Sequence, residues 1–168
     1  LTIRSATPAG TQVSGAVSAD RITGLGIEGG LLVDRLKSLS IYGGAADEDI
    51  VVSSLPVLSE STVNIGLGAG DDRLTLGGVD AGGGADLDRL TGMTLAFGGG
   101  DGQDVLVLDD RDSAAARLNT LVNGVNIQNL GFDQIGALDF EQLDIFLNDH
   151  GNAVRIADLA MPTSIGAG

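Results

Sequence analysis

Residues 63–76 read VNIGLGAGDDRLTL: an alternating apolar run, a turn of glycines and aspartates, and a second alternating apolar run. The same phrase stands at Leu39 as LSIYGGAADEDIVV and at Met93 as MTLAFGGGDGQDVLVL, and a worn copy, LDIFLNDHGNAVRI, starts at Leu143. Alternation with period two sets every second side chain on one face of a strand. It predicts that Leu39, Ile41, Val63, Ile65, Leu67, Met93, Leu95, Phe97, Leu143, Ile145 and Leu147 point inward. After each turn the inward set resumes with Ile50, Val52, Leu74, Leu76, Val105, Val107, Val154 and Ile156.

A unit of this size cannot bury its apolar face alone and is stabilised by stacking on its neighbours. The copies at 39, 63, 93 and 143 are separated by 24, 30 and 50 residues, and the last gap halves at RLNTL, Arg117–Leu121. Stepping back 24 from Leu39 reaches Gly15, beside the short strand AVS. These intervals predict one all-β domain over residues 1–168, a right-handed parallel β-helix (β-solenoid) of about six irregular coils with Gly/Asp-rich turns. Leu39, Val63 and Leu143 are expected at equivalent inward positions, and Ile41, Ile65, Leu95 and Ile145 in the next ladder.

A longer repeat overlies the short one. Sliding by 105 brings ITGLGIE (from Ile22) onto IQNLGFD (from Ile127), and sliding by 104 brings LSIY onto LDIF, so a long module starts again near residue 120. The stretches GGLLVDRLKS and QIGALDFEQ, and Ser113–Leu118 with its three alanines, are expected as short helices or irregular bends. A chain opening on Leu1 rather than Met reads as a piece of a longer repeat protein.

Composition narrows the chemistry. At 168 residues the chain is long enough to bury roughly 70% of its unfolded surface, and its core must be aliphatic, because it has no Trp, one Tyr and four Phe. Twenty-seven glycines beside only three prolines mark turns rather than disorder. A net charge of −14 repels nucleic acid and anionic lipid and favours cations. The single lysine, Lys37, and eight arginines make no basic patch. No cysteine is present, so disulfides, thiolate metal sites and cysteine nucleophiles are excluded.

The turns carry the chemistry. Glycine admits φ > 0 and brings backbone carbonyls close, while aspartate supplies hard oxygen ligands suited to Ca²⁺. Asp47, Asp49, Asp71, Asp72, Asp101 and Asp104 are the candidate metal ligands, with Asp86 and Asp88 of GGGADLDRL a weaker cluster. GLGAGDDRL, Gly66–Leu74, and GGGDGQDVL, Gly98–Leu106, resemble the GGxGxDxUx repeat of RTX (hemolysin-type) calcium-binding proteins. Those nonapeptides follow one another directly, whereas here single copies lie 24 to 30 residues apart, and the copy at Leu147 carries Asn148, His150 and Gly151 where acids stood. The whole phrase also resembles β-solenoid repeats of very large secreted bacterial surface proteins. The resemblance implies Ca²⁺ at the turns, an extracellular location and a structural or adhesive role.

Other signals are weaker. GLGIEG, Gly24–Gly29, satisfies GxGxxG, but the VSADRIT before it is short and polar where a dinucleotide site needs a buried parallel strand. His150 beside Asp149 reads as a solvated loop, and DDRD, Asp109–Asp112, as a loop rather than a carboxylate pair for glycoside chemistry. Tyr42, Leu67, Phe97 and Leu147, each just before a turn, read as stacked core residues rather than a ligand platform. The expectation is a non-enzymatic structural or adhesive module of a secreted or cell-surface bacterial protein, joined end to end with like modules or copies of itself, and meeting surface glycans or matrix proteins but neither nucleic acid nor membrane. The rival reading is a carbohydrate-active parallel β-helix enzyme, a polysaccharide lyase or hydrolase; a β-sandwich with Ca²⁺-binding turns is the other fold.

Overall fold

The computed structural model describes residues 1–56, 58, 62–79, 84–91 and 94–167. In chain order the strands are β1 Thr2–Arg4, β2 Gln12–Val17, β3 Arg21–Gly24, β4 Ile27–Leu32, β5 Leu39–Tyr42, β6 Asp47–Val52, β7 Thr62–Ala69, β8 Arg73–Leu76, β9 Thr94–Asp101, β10 Val105–Asp109, β11 Thr120–Gly124, β12 Asn126–Gln128, β13 Gln134–Leu138, β14 Gln142–Leu147, β15 Val154–Leu159 and β16 Thr163–Ala167. One short 3-10 turn, Leu87–Leu90, interrupts them. The chain is all-β. Its strands form two eight-stranded sheets, ordered β1-β5-β7-β9-β13-β12-β11-β15 and β16-β14-β10-β8-β6-β2-β3-β4.

Both sheets are mixed, which overturns the expected single parallel β-helix of about six coils. The phrase does step forward in parallel: Leu39 stands beside Val63, Val63 beside Leu95 and Leu95 beside Ile135 in the first sheet. Ile50, Leu74, Leu106 and Leu143 line up likewise in the second. Two segments, however, run back on themselves as antiparallel meanders, β2-β3-β4 and β11-β12-β13. The first reverses at Gly24, Leu25 and Gly26, all at positive φ (70°, 53° and 74°), and the second at Asn129 and Gly131 (58° and 77°). Such backbone makes a tight reversal in place of a wide turn to the opposite sheet. These are the two segments matched by the 105-residue slide; of their shared apolar positions, Ile22 with Ile127 and Leu25 with Leu130 are buried, while in the third pair Phe132 is buried and Ile27 half-buried.

The second meander also moves the fourth copy of the phrase. After β10 the chain enters the first sheet at β11 and fills it backwards to β13, so the next strand, β14, belongs to the second sheet. Leu143 therefore stands beside Leu106 and Ile145 beside Leu108, not in ladders with Leu39 and Ile41. The neighbouring ladder in the first sheet runs Ile41, Ile65, Phe97.

Inward-facing residues of both sheets form one aliphatic core that includes Leu39, Ile41, Val63, Ile65, Leu67, Leu95, Phe97, Ile50, Leu74 and Leu143. In β10 the register puts Leu106 and Leu108 inside, so Val105 and Val107, expected there, lie on the other face. Tyr42 likewise points outward, under the guanidinium of Arg4 at 4.6 Å. Val154 and Ile156 share the inward face of β11; Val154 packs half-buried against the core, and Ile156 stays exposed. Met93 lies outside the described residues. The stretches expected as helices supply β4 and β13, and Ser113–Leu118 is irregular. Among the described residues no helix is long and apolar enough to cross a membrane.

Candidate metal centre

Between the two arms of each of the first three phrases the chain makes a narrow turn, and these turns stack. Their closeness depends on glycine: a Cβ on Gly100 (φ +121°) would lie 1.8 Å from the Gly68 carbonyl oxygen, and one on Gly68 (φ +110°) 2.4 Å from that of Gly44. Stacking the turns also stacks their acids, at about 4.8 Å per step.

Three buried acids, Glu48, Asp72 and Asp104, form a row that the half-buried Glu141 continues, and the last three are bound from rung to rung through the backbone. The Gly44 amide donates to Glu48 Oε1 (3.0 Å), the Glu48 amide to Asp72 Oδ1 (2.7 Å), the Asp72 amide to Asp104 Oδ1 (2.9 Å), and the Asp104 amide to Glu141 Oε2 (2.7 Å). Each carboxylate thus closes the turn before it. Glu48, Asp72 and Asp104 are 1%, 1% and 0% exposed, and the second oxygens, Glu48 Oε2, Asp72 Oδ2 and Asp104 Oδ2, are buried without a hydrogen-bond partner.

An outer, solvated row runs the other way. The Asp71 amide donates to Asp47 Oδ1 (3.1 Å) and the Gln103 amide to Asp71 Oδ1 (3.0 Å). Of the six predicted ligands, Asp72 and Asp104 therefore fall in the buried row and Asp47 and Asp71 in the outer one. Asp49 lies along β6 opposite Arg73, and Asp101 ends β9, where its carbonyl accepts from the Gly70 amide. The structure does not bring all six together. Among the described residues no three side chains of His, Cys, Asp or Glu converge as a metal-holding group.

Glu48 and Glu141 belong to this row, and neither is among the six aspartates expected from the sequence. A signal existed: Glu48, Asp72, Asp104 and Glu141 each stand two residues before Ile50, Leu74, Leu106 and Leu143, the aligned apolar residues of the second sheet. Two residues along a strand is the same face, so an acid there is aimed at the inside of the turn.

The electrostatics follow from burial. Asp72 is raised to about 6, first by desolvation and then by the neighbouring Glu48 carboxylate, against the pull of the Glu48 amide. Asp104 is raised to about 6 by desolvation and by Asp72 and Glu141, opposed by the Asp72 amide. A buried carboxylate oxygen without a donor is costly while charged. Protonation or a cation relieves that cost, and hard carboxylate oxygens suit Ca²⁺ in particular. That cost falls on the unpartnered oxygens of Glu48, Asp72 and Asp104.

The weaker acidic cluster has a different use. Asp86 caps the 3-10 turn by accepting from the Asp88 amide (2.9 Å), and Asp88 binds Arg117 Nη1 (2.8 Å). Arg117, 7% exposed, also grips both oxygens of the fully buried Asp110 through Nε (2.6 Å) and Nη2 (2.7 Å). Within DDRD, Asp109 pairs with Arg111 (2.7 Å) and Asp112 accepts from the Ala85 amide (2.8 Å). These carboxylates hold neighbouring chain segments. GLGIEG forms the β3–β4 reversal and opens a strand rather than a helix, which removes the dinucleotide reading. His150 and Asp149 form an exposed pair at 3.6 Å.

No family model, no curated protein and no solved structure matches the chain.

Proposed function

We propose that this chain is a non-enzymatic structural or adhesive module of a secreted or cell-surface bacterial protein, stabilised by Ca²⁺ along its acidic edge. The observation that carries the reading is the acidic row: Glu48 holds its own turn through the Gly44 amide, and Asp72, Asp104 and Glu141 each hold a neighbouring turn through a backbone amide. Acids committed to backbone amides serve shape. The unpartnered oxygens of the first three then give a divalent cation a reason to bind the folded chain and not the unfolded one.

Extracellular Ca²⁺ modules work at around 10⁻⁴ to 10⁻³ M, so melting in EDTA, Mg²⁺ and Ca²⁺ over that range, at matched ionic strength, is the test. A rise with Ca²⁺ alone is expected, amounting to roughly 2.7 kcal/mol at a hundredfold excess over Kd. Equal melting in all three conditions removes the calcium part of the reading. Hydrolysis or β-elimination of a polysaccharide by the purified chain removes the non-enzymatic part.

A further inference from the structure

On the reading of the chain as a structural module, we infer that the edges of β1 and β4 are a seat for a preceding copy of the long repeat, with that copy's β8 beside β1 and its β9 beside β4.

The same seat is occupied once within the chain. A shift of 104 to 105 residues carries β1 onto β10, β2 onto β11, β3 onto β12, β4 onto β13, β5 onto β14 and β6 onto β15, and β7 onto β16 in the order of strands. The pairings move with the strands. Ile3 beside Ile41 becomes Leu108 beside Ile145, and Val17 beside Ile22 becomes Val122 beside Ile127. Ile22 beside Leu31 becomes Ile127 beside Ile135, and Val17 beside Val52 becomes Val122 beside Ile156. Every strand changes sheet in the shift: β1 lies in the first sheet and β10 in the second, β2 in the second and β11 in the first. Two copies related in this way follow a two-fold screw along the stack. One copy supplies nine strands, β1 to β9, shared between two sheets, so the rise per copy is about 22 Å.

The copies join where β8 pairs with β10 and β9 with β13. Since β10 and β13 are the mates of β1 and β4, the screw sets strands of the β8 and β9 kind beside β1 and β4. Register follows from the internal junction. Leu106 and Leu108 stand beside Leu74 and Leu76, so Leu1 and Ile3 meet that leucine pair. Ile135 and Ala137 stand beside Leu95 and Phe97, so Leu31 and Val33 meet those two. The far end of a second chain is a different surface: β15 and β16 are the mates of β6 and β7, which themselves pair with β8 and β9. The occupant of the seat is therefore a preceding repeat.

Backbone and charge fit the same neighbour. The Ser40 amide donates to the Leu1 carbonyl and the Ser5 amide to that of Tyr42, so the odd residues of β1 bond to β5 while Thr2 and Arg4 turn their amides the other way. At the internal junction the corresponding set is in use, the Val105 amide donating to the Asp72 carbonyl. The Asp104 amide crosses that junction to Glu141, and the mate of Glu141 in the first copy is Lys37, so a preceding Asp104 meets a cation there instead of a second acid.

A second copy of residues 1–105 placed directly before Leu1 of the whole chain tests the seat in one polypeptide. Small-angle scattering is expected to show one body, about 22 Å longer than the parent chain at the same cross-section. Hydrogen exchange at the Arg4 amide of the inner copy should be about 100-fold slower than in the parent. Thr2→Pro in the inner copy removes a donor aimed at the preceding repeat and should abolish that protection, while the same change in the leading copy, where no strand lies beside β1, should leave it intact. Two bodies on a linker, with β1 and β4 exchanging as in the parent, overturn the inference. So does a leading copy that stays unfolded while the trailing 168 residues keep their own circular dichroism spectrum. Equal sensitivity of the two copies to Thr2→Pro overturns it as well, because the loss then lies within β1's own repeat. None of these outcomes moves the calcium melt of the parent chain, so failure here is distinguishable from failure of the functional reading.

Discussion

Asp104 Oδ1 accepts the Asp72 amide at 2.9 Å, while Asp104 Oδ2 is buried with no donor at all. One oxygen therefore stabilises a turn and the other opposes burial. The balance between them is set by protons and cations, and it makes the stability of the fold depend on solution conditions in a definite direction.

Asp72 and Asp104 are raised to about 6 in the folded chain, against about 3.9 for an unfolded aspartate. Between those values the folded state binds more protons than the unfolded one, so stability falls as pH rises. The contribution is complete below about pH 4 and lost above about pH 6. In EDTA, urea unfolding at pH 5 and pH 7 should show the chain more stable at the lower pH through these groups, each contributing on the order of 1–3 kcal/mol. Saturating Ca²⁺ favours the ionised carboxylates and should flatten the slope. A slope of the opposite sign between pH 4.5 and 6.5 would refute the assignment of the buried row as the dominant titrating set.

Substitution separates the two oxygens. Asp104→Asn keeps an acceptor for the Asp72 amide and removes the buried charge, so it should stabilise the metal-free chain at pH 7 by about 1 kcal/mol. Asp104→Ala leaves the Asp72 amide buried and unpaired, at a cost of about 1–3 kcal/mol. Both should reduce the response to Ca²⁺. Equal loss of stability in the two variants would mean that the charge is not the cost.

Stacked glycines give a third expectation. A Cβ on Gly100 would meet a backbone oxygen at 1.8 Å, and at φ +121° no L side chain sits comfortably. Gly100→Ala should cost roughly 2–4 kcal/mol in chemical denaturation, against about 1 kcal/mol at Gly26, where nothing lies within 4 Å and only the φ of +74° is unfavourable.

Several of these features were legible in the sequence. Period-two alternation found the arms of the phrase at Leu39, Val63 and Leu95, because one face of each strand is buried and the other is not. It slips by one residue at β10, where VLVL, residues 105–108, is apolar throughout and alternation has nothing to discriminate. A pattern of strand, turn and strand does not say which sheet a strand joins, so Leu143 was placed opposite its true position. Reversals at Gly24–Gly26 and Asn129–Gly131 use the same residue types as forward turns, so the meanders were invisible and a single winding was expected. The inner acids were readable only by position, two residues before an aligned core residue, and the aspartate-rich look of the turns drew attention to the outer ones instead.

Arg117 supplies the last prediction. Its guanidinium is held by Asp110, Asp88 and Ser113 Oγ, and Asp110 also accepts the Leu87 amide, so one buried cation ties the 3-10 turn to the segment after β10. Burial pushes the Asp110 carboxyl up even with Arg117 opposing it. Arg117→Met should cost about 3–5 kcal/mol at pH 7, because Asp110 is left buried and uncompensated. With Asp110→Asn added, much of that loss should return, since the charge is gone while an acceptor for the Leu87 amide remains. The single variant should also recover stability on acidification, as Asp110 takes up a proton, and the double variant should lack that recovery. Urea unfolding of the two variants at pH 5 and pH 7 measures all of this, and a double variant no more stable than Arg117→Met would show that packing around the arginine stem, not its charge, holds the segment in place.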